Sequence, residues 1–342
     1  MFTFIDLFAG IGGIRIPFEE LGGTCVFSSE WDKNAQKTYF ANFGEVTAGD
    51  ITKISELDIP DHDILLAGFP CQSFSIMGKQ LGFADTRGTL FFDIERILRA
   101  KRPSAFLLEN VKQLTTHDKG RTLGVILSKL EQLGYHVHWK VLNALDFGLP
   151  QKRERIFIVG FLEDYDFSFP APLGTTPSLD TVLEPDDTVE SRYFASPEIQ
   201  KKRRDKLSGE PFYPSIWHEN KSGNVSVLPY SCALRAGASY NYLLVNGIRR
   251  PTERELLRLQ GFPEDFKIVV SYTEIRRQLG NAVPVPVVRE VAKKMLEAIN
   301  QGVIRKTRHE ELQDQLSLPF EDDANEKGGM KNALDGCERR TG

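Results

Sequence analysis

Cys71 is the residue of this 342-residue chain whose surroundings best suit a nucleophile. It follows an apolar run at 64–68 that is typical of a buried strand, and it lies in a loop that begins Phe69-Pro70-Cys71-Gln72. Open α/β sheets bind substrates in the crevice beyond the carboxyl ends of their strands. Most lone cysteines are simply small buried side chains, and we interpret Cys25 and Cys232 in that way. The position and composition of its loop predict instead that Cys71 is a reactive thiol.

Charged side chains stand at the ends of two other strand-like runs. Glu109 ends the apolar run at 106–108, where burial would raise the pKa of a carboxyl group. Gln151, Arg153 and Arg155 alternate where the chain enters a strand, so their side chains should share one face. Two simpler interpretations stay open, in which Glu109 caps the turn that follows and the run at 152–155 is a solvated edge.

A glycine-rich turn joins the first predicted strand to the first predicted helix. Gly10, Gly12 and Gly13 would let a ligand approach the backbone beside the free N–H groups of a helix N-terminus. Glu30 ends the next strand, where a carboxylate can bind a ribose diol. The dinucleotide fingerprint GxGxxG requires a third glycine at the position of Arg15. The pattern predicts a nucleoside-containing cofactor and favours one without a pyrophosphate over NAD, with an ordinary tight turn as the alternative.

Strand-like and helical runs alternate through the first half of the chain and would position these residues. We predict strands at 3–7, 25–29, 64–68, 105–110, 135–143 and 155–161, and helices at 14–21, 32–42, 89–101 and 121–133. This alternation is typical of an α/β protein with a doubly wound, mostly parallel, Rossmann-like sheet. A helix at 287–300 near the end of the chain should pack against the same domain.

The regular pattern breaks near residue 170 and predicts a second, smaller domain. From there to about 272 the chain is rich in Gly, Pro, Ser and Asn, with one clear helix at 252–260 that begins in a capping box. We therefore expect a large catalytic and cofactor-binding domain at 1–171, completed by 274–301, and a small β- and loop-rich target-recognition domain at 172–273. The polar segment at 302–342 is expected to be a disordered tail.

Composition excludes several classes of protein. The four cysteines form no CxxC pair, and His136 and His138 have no third ligand nearby, so we expect neither a disulfide scaffold nor a metal site. No apolar run approaches the roughly 20 residues of a membrane span, and the N-terminus lacks a signal-peptide pattern. We expect a cytoplasmic protein that does not contact membranes.

The net charge of −4 at pH 7 argues against a protein whose whole surface binds nucleic acid. The charge is unevenly distributed, because residues 201–260 contain eleven basic and five acidic side chains. Tyr230, Tyr240 and Tyr242 lie in the same stretch. A local excess of this kind suits phosphate contacts, although a solvated helix face and an ordinary β-turn would produce it equally well.

Taken together, the chain resembles the DNA (cytosine-5)-methyltransferases, the bacterial modification enzymes that use S-adenosylmethionine. The resemblance covers about residues 3–300 and depends on blocks that occur in a fixed order. These blocks are Asp6-Leu7-Phe8-Ala9-Gly10-Ile11-Gly12-Gly13, Glu30-Trp31, Gly49-Asp50-Ile51, Gly68-Phe69-Pro70-Cys71-Gln72-Ser73, Arg87-Gly88-Thr89-Leu90-Phe91, Glu109-Asn110-Val111, Gln151-Lys152-Arg153-Glu154-Arg155, Arg258-Leu259-Gln260-Gly261-Phe262-Pro263 and Gly280-Asn281-Ala282-Val283-Pro284.

The resemblance implies a catalytic set for methylation of a cytosine that is flipped out of the duplex. In this family a cysteine thiolate, here Cys71, adds to C6 of the base so that C5 can attack a methyl sulfonium. The resemblance puts Glu109 at N3 of the cytosine, Arg155 at O2 and Arg153 close to Cys71, and Gln151 belongs to the same group. Asn110 would support the loop.

The resemblance also implies a pocket for S-adenosylmethionine beside the glycine turn. Phe8 and Trp31 would lie against the adenine, and Glu30 would bind the ribose. The remaining residues implied for the pocket are Gly10, Gly12, Gly13, Asp50, Ile51, Pro70, Leu90, Asn281 and Val283. Asn281 and Val283 come from near the end of the chain, so the last block must fold back onto the first domain.

The leading interpretation is a monomeric DNA (cytosine-5-)-methyltransferase that modifies a specific sequence in double-stranded DNA. Such enzymes act alone or share their site with a restriction endonuclease without forming a stable complex with it. A tRNA-directed relative, an NAD-type oxidoreductase and a catalytically dead DNA-binding module are the alternatives. The long stretch between Arg155 and Gly261 favours DNA, and the complete set of Cys71, Glu109 and Arg155 disfavours a dead module.

Overall fold

A six-stranded sheet organises the first half of the chain in the computed structural model, which describes residues 1–70, 90–207 and 209–303. The strands in this half of the chain are β1 (Phe2–Leu7), β2 (Gly23–Ser29), β3 (Ile64–Gly68), β4 (Ala105–Val111), β5 (His136–Asn143), the short β6 (Gln151–Lys152) and β7 (Glu154–Phe161). The sheet excludes β6 and has the order β2-β1-β3-β4-β7-β5, and β7 runs antiparallel to both of its neighbours. The connection from β5 to β7 is too short for a crossover helix, which explains the one reversed strand.

Helices cover both faces of this sheet. The helices of the described residues are α1 (Arg15–Glu20), α2 (Lys33–Phe43), α3 (Leu90–Lys101), α4 (Arg121–Gln132), α5 (Pro197–Arg204), α6 (Glu253–Gln260), α7 (Tyr272–Asn281) and α8 (Val285–Gln301). Residues of α1, α3, α4 and α8 belong to the two cores that contain the strands of the sheet, whereas α6 and α7 belong to a third core. Alternate residues of β1 enter different cores: Phe4 packs with Phe18 of α1, and Ile5 with Ile94 of α3. Val291 of α8 belongs to the same core as Phe4. The predicted doubly wound sheet and the return of the last helix to it are both confirmed.

A second, antiparallel sheet lies in the stretch predicted to be β- and loop-rich. It contains β8 (Ile216–Glu219), β9 (Val225–Leu228) and β11 (Leu243–Val245), while β10 (Ser231–Cys232) pairs with β6. The capping box of α6 is present, because Thr252 Oγ1 accepts the Glu255 N–H at 3.2 Å and Glu255 Oε2 accepts the Thr252 N–H at 2.7 Å. The described residues up to Val303 form one compact unit, so the boundaries at 171 and 273 stay a prediction.

Two helices in this half were not assigned from the sequence, although each begins with a recognisable signal. Ser196 caps α5 and is followed by Pro197 at the first helical position. Ser271 caps α7 by accepting the N–H of Glu274, and the pair has the spacing of a capping box. Among the helices of the described ranges, none has the length and apolar character that a membrane crossing requires.

Candidate active site and cofactor pocket

The central parallel strands bring the predicted site residues to one edge of the sheet. In the register of the sheet, Leu7 at the end of β1 lies beside Ala67 of β3, and Gly68 lies beside Glu109 of β4. The end of β1 before the glycine turn, the end of β3 before the Cys71 loop, and Glu109 within β4 therefore lie on neighbouring strands of the sheet. Cys71 itself lies outside the described residues, so its predicted contacts stay a prediction.

Glu109 and Arg155 form a buried ion pair at this edge. Arg155 Nε lies 3.0 Å from Glu109 Oε1, and only 9% of the carboxylate side chain and 13% of the arginine side chain are exposed. Burial raises the pKa of Glu109 above its usual range, and the positive charges of Arg155 and Arg153 only partly oppose that rise. A carboxyl group whose pKa is raised keeps its proton to higher pH than usual and can donate it to a nucleobase nitrogen within hydrogen-bond distance.

Asn110 holds the root of the cysteine loop. Its Nδ2 donates to the carbonyl oxygen of Phe69 at 2.8 Å, and its Oδ1 accepts the N–H of Val111 at 2.8 Å. The carbonyl of Phe69 lies two residues before Cys71. The expected support of this loop by Asn110 is thus present up to the last described residue, Pro70.

Gln151 and Arg153 are both completely buried and contact backbone rather than open space. Gln151 Nε2 donates to the Leu259 carbonyl at 2.6 Å, and its Oε1 accepts the N–H of Leu234 at 3.2 Å. Arg153 donates to the carbonyls of Leu234 at 3.0 Å and Gly280 at 3.1 Å, and also to that of Ala282. These two side chains tie the entry of β7 to distant parts of the chain, as residues that position a site do.

Glu30 is fixed at the mouth of the glycine turn. Its Oε2 accepts the N–H of Gly10 at 2.8 Å, and its Oε1 accepts the N–H of Asp32 at 2.7 Å. Burial raises the pKa of Glu30, while these backbone donors act in the opposite direction. Beside it, 76% of the Trp31 surface is exposed, so most of the indole can contact a ligand. A held carboxylate next to an open indole suits a ribose and its base.

The geometry of the turn fits a ligand as well. Gly10 has φ +58°, and among the described residues the nearest atom to a Cβ there would be the Phe8 carbonyl oxygen at 4.0 Å. A Cβ on Gly13 would lie 3.0 Å from a methyl group of Val283, so the last block does fold back onto the turn. The residues present therefore fit the nucleoside part of S-adenosylmethionine.

The other predicted pocket residues occupy varied positions. Ile51 is buried, Asp50 caps the turn that follows by accepting from Thr52, and Phe8 is half-buried with φ +54°. Pro70 and Leu90 border the segment 71–89, which the structure does not describe, and Asn281 ends α7 as an exposed residue. Their contacts with a cofactor stay a prediction.

A buried polar cluster beneath the glycine turn was not predicted from the sequence. Arg15, which stands where the fingerprint would need a glycine, donates to Tyr39 Oη at 2.9 Å and to Glu45 Oε2 at 2.5 Å. Its guanidinium also lies 4.4 Å from the ring centre of Phe43. Asp6, at the end of β1, accepts from Tyr39 Oη at 3.4 Å. The signal was available, because Asp6 and Arg15 are charged residues within apolar runs.

We expect the Asp6→Asn variant to lose part of the pH dependence of stability. Burial raises the pKa of Asp6 to about 7 despite the opposing charge of Arg15, and its Oδ1 has no hydrogen-bond partner among the described residues. A carboxyl group with a raised pKa in the folded state stabilises that state fully only below its unfolded pKa of 3.8, and the contribution disappears as the pH rises through about 7. Urea unfolding at pH 5 and pH 8 should show a smaller change in free energy for the variant than for the wild type. Equal changes in the free energy of unfolding of the variant and the wild type would contradict a raised pKa for Asp6.

The local positive charge between 201 and 260 is smaller than its residue count suggests. Arg249 is completely buried and pairs with Glu255 and Asp186, while Arg203 is buried and pairs with Glu219. Arg258 pairs with Glu264 and Glu184. The count over residues 201–260 overstates the free positive charge, because the acidic partners at 184, 186 and 264 lie outside that stretch.

Three other arginines form a cluster with tyrosines instead. The guanidinium of Arg235 lies 4.9 Å from the ring centre of Tyr242, and that of Arg250 lies 4.5 Å from the ring centre of Tyr240. Arg276 of α7 lies 4.9 Å from the same Tyr240 ring. Within the described ranges no carboxylate pairs with any of these arginines, so their charges stay available to an anionic ligand.

Comparisons with known proteins find related sequences that match most of this chain. The family described as C-5 cytosine-specific DNA methylase matches residues 2–297. The Type II methyltransferase M.HaeII of Haemophilus aegyptius is 64% identical over 298 residues, which are 87% of this chain and 94% of that protein. The Type II methyltransferase M.NgoBI of Neisseria gonorrhoeae is 62% identical over 293 residues, 86% and 92% of the two chains.

A solved structure shows the same fold at low sequence identity. The Dnmt2 methyltransferase of S. pombe superposes with a TM-score of 0.67 at 20% identity, covering 88% of this chain and all of that one. The family match extends from the glycine turn to the block that contains Asn281 and Val283. The chain therefore belongs to the C-5 cytosine-specific DNA methylase family, whose members transfer a methyl group from S-adenosylmethionine to carbon 5 of cytosine in DNA.

Proposed function

We propose that this protein is a type II-like modification enzyme that methylates one cytosine within a specific double-stranded DNA sequence by way of Cys71. The single observation that carries the proposal is the buried Glu109–Arg155 pair, which lies at the sheet edge where the Cys71 loop begins. An acid of raised pKa beside a guanidinium is what a cytosine needs at N3 and O2 when a thiolate attacks its C6.

Each bond and proton is accounted for in this reaction. The Cys71 thiolate forms a bond to C6, and the electron pair moves through the ring to N3, which takes a proton from Glu109. S-adenosylmethionine, when bound, supplies an electrophilic methyl group. C5 then forms its bond to the methyl carbon as the carbon–sulfur bond of the sulfonium breaks. Loss of the C5 proton to a base expels Cys71 from C6, and the N3 proton returns to Glu109.

The arginines and Gln151 divide the remaining tasks. Arg155 holds the Glu109 carboxyl through its Nε and donates through Nη1 to the Glu154 carbonyl at 2.8 Å. Its Nη2 would donate to the O2 oxygen of the base. Arg153 would favour the thiolate form of Cys71 through its charge. Gln151 and Arg153 also keep the strand entry in register through backbone bonds, so Gln151 acts as a positioning residue.

The cofactor pocket is proposed from the same edge of the sheet. Glu30 would accept from the ribose hydroxyls, and Trp31 with Phe8 would contain the adenine. Asp50 and Ile51 would contact the adenine edge. The glycine turn and four further residues would close the pocket, namely Pro70, Leu90, Asn281 and Val283.

The DNA would lie across the region at 172–273, which we propose as the target-recognition domain. Arg235 and Arg250 support this placement, because neither has a carboxylate partner in the described part of the chain. We further propose that the enzyme acts as a monomer in the cytoplasm and associates with the nucleoid through its binding to DNA. A restriction endonuclease would share the site without a stable complex.

Bisulfite sequencing of DNA from cells that express the protein tests this function. We expect cytosines at one position of one sequence context to resist conversion, and cells that express Cys71→Ser to show full conversion. A parallel sample from cells with M.HaeII would report whether the two proteins modify the same context. Full conversion of all DNA, with protected cytosines in tRNA instead, would contradict a DNA substrate.

A further inference from the structure

Helix α7 (Tyr272–Asn281) contacts the cofactor side of the protein through Arg277. Its Nη2 lies 2.8 Å from Oδ1 and 2.9 Å from Oδ2 of Asp32. Asp32 caps α2, and its own N–H donates to Glu30 Oε1 at 2.7 Å. Two consecutive contacts therefore connect Arg277 to the Glu30 carboxylate, which we propose binds the ribose. The first joins Arg277 to Asp32, and the second joins Asp32 to Glu30 and fixes the orientation of its carboxylate.

The preceding residue of the chain contacts a different part of the protein. Arg276 donates to the Ser239 carbonyl at 3.0 Å and lies against Tyr240. Both belong to the segment 234–242, which we call the recognition loop. Arg276 and Arg277 are consecutive on a helix and therefore point about 100° apart.

The recognition loop also rests directly on the helix backbone. A Cβ built on Gly280 would lie 2.2 Å from the Ala236 nitrogen, so only glycine lets the loop approach this closely. Arg153 fastens the same junction, because it donates to the carbonyls of Leu234 and Gly280. The recognition loop, the end of α7 and the start of β7 are therefore held together by direct contacts.

We infer that Arg276 and Arg277 are positioning residues with separate tasks. Arg277 orients Glu30 through Asp32 and so supports cofactor binding, whereas Arg276 orients the recognition loop and so supports the choice of DNA sequence. Helix α7 thereby sets where the DNA lies relative to the methyl donor. This inference rests on the proposed function, since it assigns Glu30 to the cofactor and the loop to DNA.

Steady-state kinetics of two single variants test this separation. Arg277→Gln removes the charge-assisted contacts of Arg277 with Asp32 and with Glu274. We expect the KM for S-adenosylmethionine to rise about tenfold in this variant, with unchanged discrimination between the cognate site and a site with one altered base pair. For Arg276→Gln we expect that discrimination to fall about tenfold, with an unchanged KM for S-adenosylmethionine. Arg277→Lys, which keeps the charge near Asp32, should recover most of the cofactor affinity.

The matched control is Arg289→Gln, a variant in α8 that removes an ion pair with Glu20, away from the site. It should change neither parameter. If both α7 variants shift both parameters together, or neither parameter moves, the inference is wrong. A wild-type enzyme that methylates no DNA at all would instead overturn the proposed function, so the two failures are distinguishable.

Discussion

The Cys71→Ser variant should lose methyl transfer by at least about 10⁴-fold and still bind DNA that carries the target site. A serine hydroxyl is barely ionised at neutral pH and cannot add to C6, so C5 never becomes a nucleophile. We propose that DNA binding depends on other residues, including Arg235 and Arg250, so it should persist. Transfer of labelled methyl groups to DNA measures the first effect, and fluorescence anisotropy with labelled duplex measures the second.

Cys25 provides a matched control for this variant. It lies in β2, and burial raises the pKa of its thiol to about 12, so it is not a thiolate at neutral pH. A Cys25→Ser variant should therefore retain activity, since serine can replace the weak bond from Sγ to the Phe27 carbonyl. Full activity in Cys71→Ser, or an equal loss in both variants, would contradict the role of Cys71.

The Glu109→Gln variant should have a kcat about 10²- to 10⁴-fold below that of the wild type, because it cannot transfer a proton to N3. Its pH profile should also change. Burial holds the pKa of Glu109 above its usual range, and only the protonated form is an acid. Wild-type kcat should therefore fall as the pH rises through that raised pKa, whereas the variant should show no such decline.

Stability must be followed alongside these rates. Removal of one partner from the buried pair leaves Arg155 uncompensated, which typically costs about 3–5 kcal/mol, so assays belong well below the melting temperature of the variant. Glu154→Gln is the matched control, because Glu154 pairs with the more exposed Lys112 at 2.8 Å. The proposed acid is excluded if Glu109→Gln retains near-wild-type kcat or the same alkaline decline.

The sheet and its turns could be predicted from the sequence because their signals are local. The apolar run at 64–68 coincides with β3, and the capping box at Thr252 is formed as expected. The sequence predicts Glu109 at the end of a buried strand, whereas β4 continues for two more residues to Val111. The resemblance to the family depended on the fixed order of the sequence blocks. The family match over residues 2–297 confirms that resemblance.

What could not be predicted depends on partners far apart in the chain. Arg249 is neutralised by Asp186 and Glu255, and no local charge count includes the first of these. The sequence pattern shows only that Arg15 occupies the position of the third glycine in the dinucleotide fingerprint. Its partners Tyr39 and Glu45 come from α2 and the loop after it. The link from Arg277 to Asp32 joins residues 245 positions apart, and only the folded chain brings them together.

Trapping on DNA that carries 5-fluorocytosine at the target position tests the covalent mechanism most directly. A fluorine at C5 cannot leave as the C5 proton does, so the enzyme should remain bonded to C6 after methyl transfer. We expect a complex that survives denaturing electrophoresis, requires S-adenosylmethionine, and maps by mass spectrometry to the peptide that contains Cys71. If the enzyme methylates the unfluorinated site but forms no such complex, or if the bond maps to another residue, the proposed mechanism is wrong.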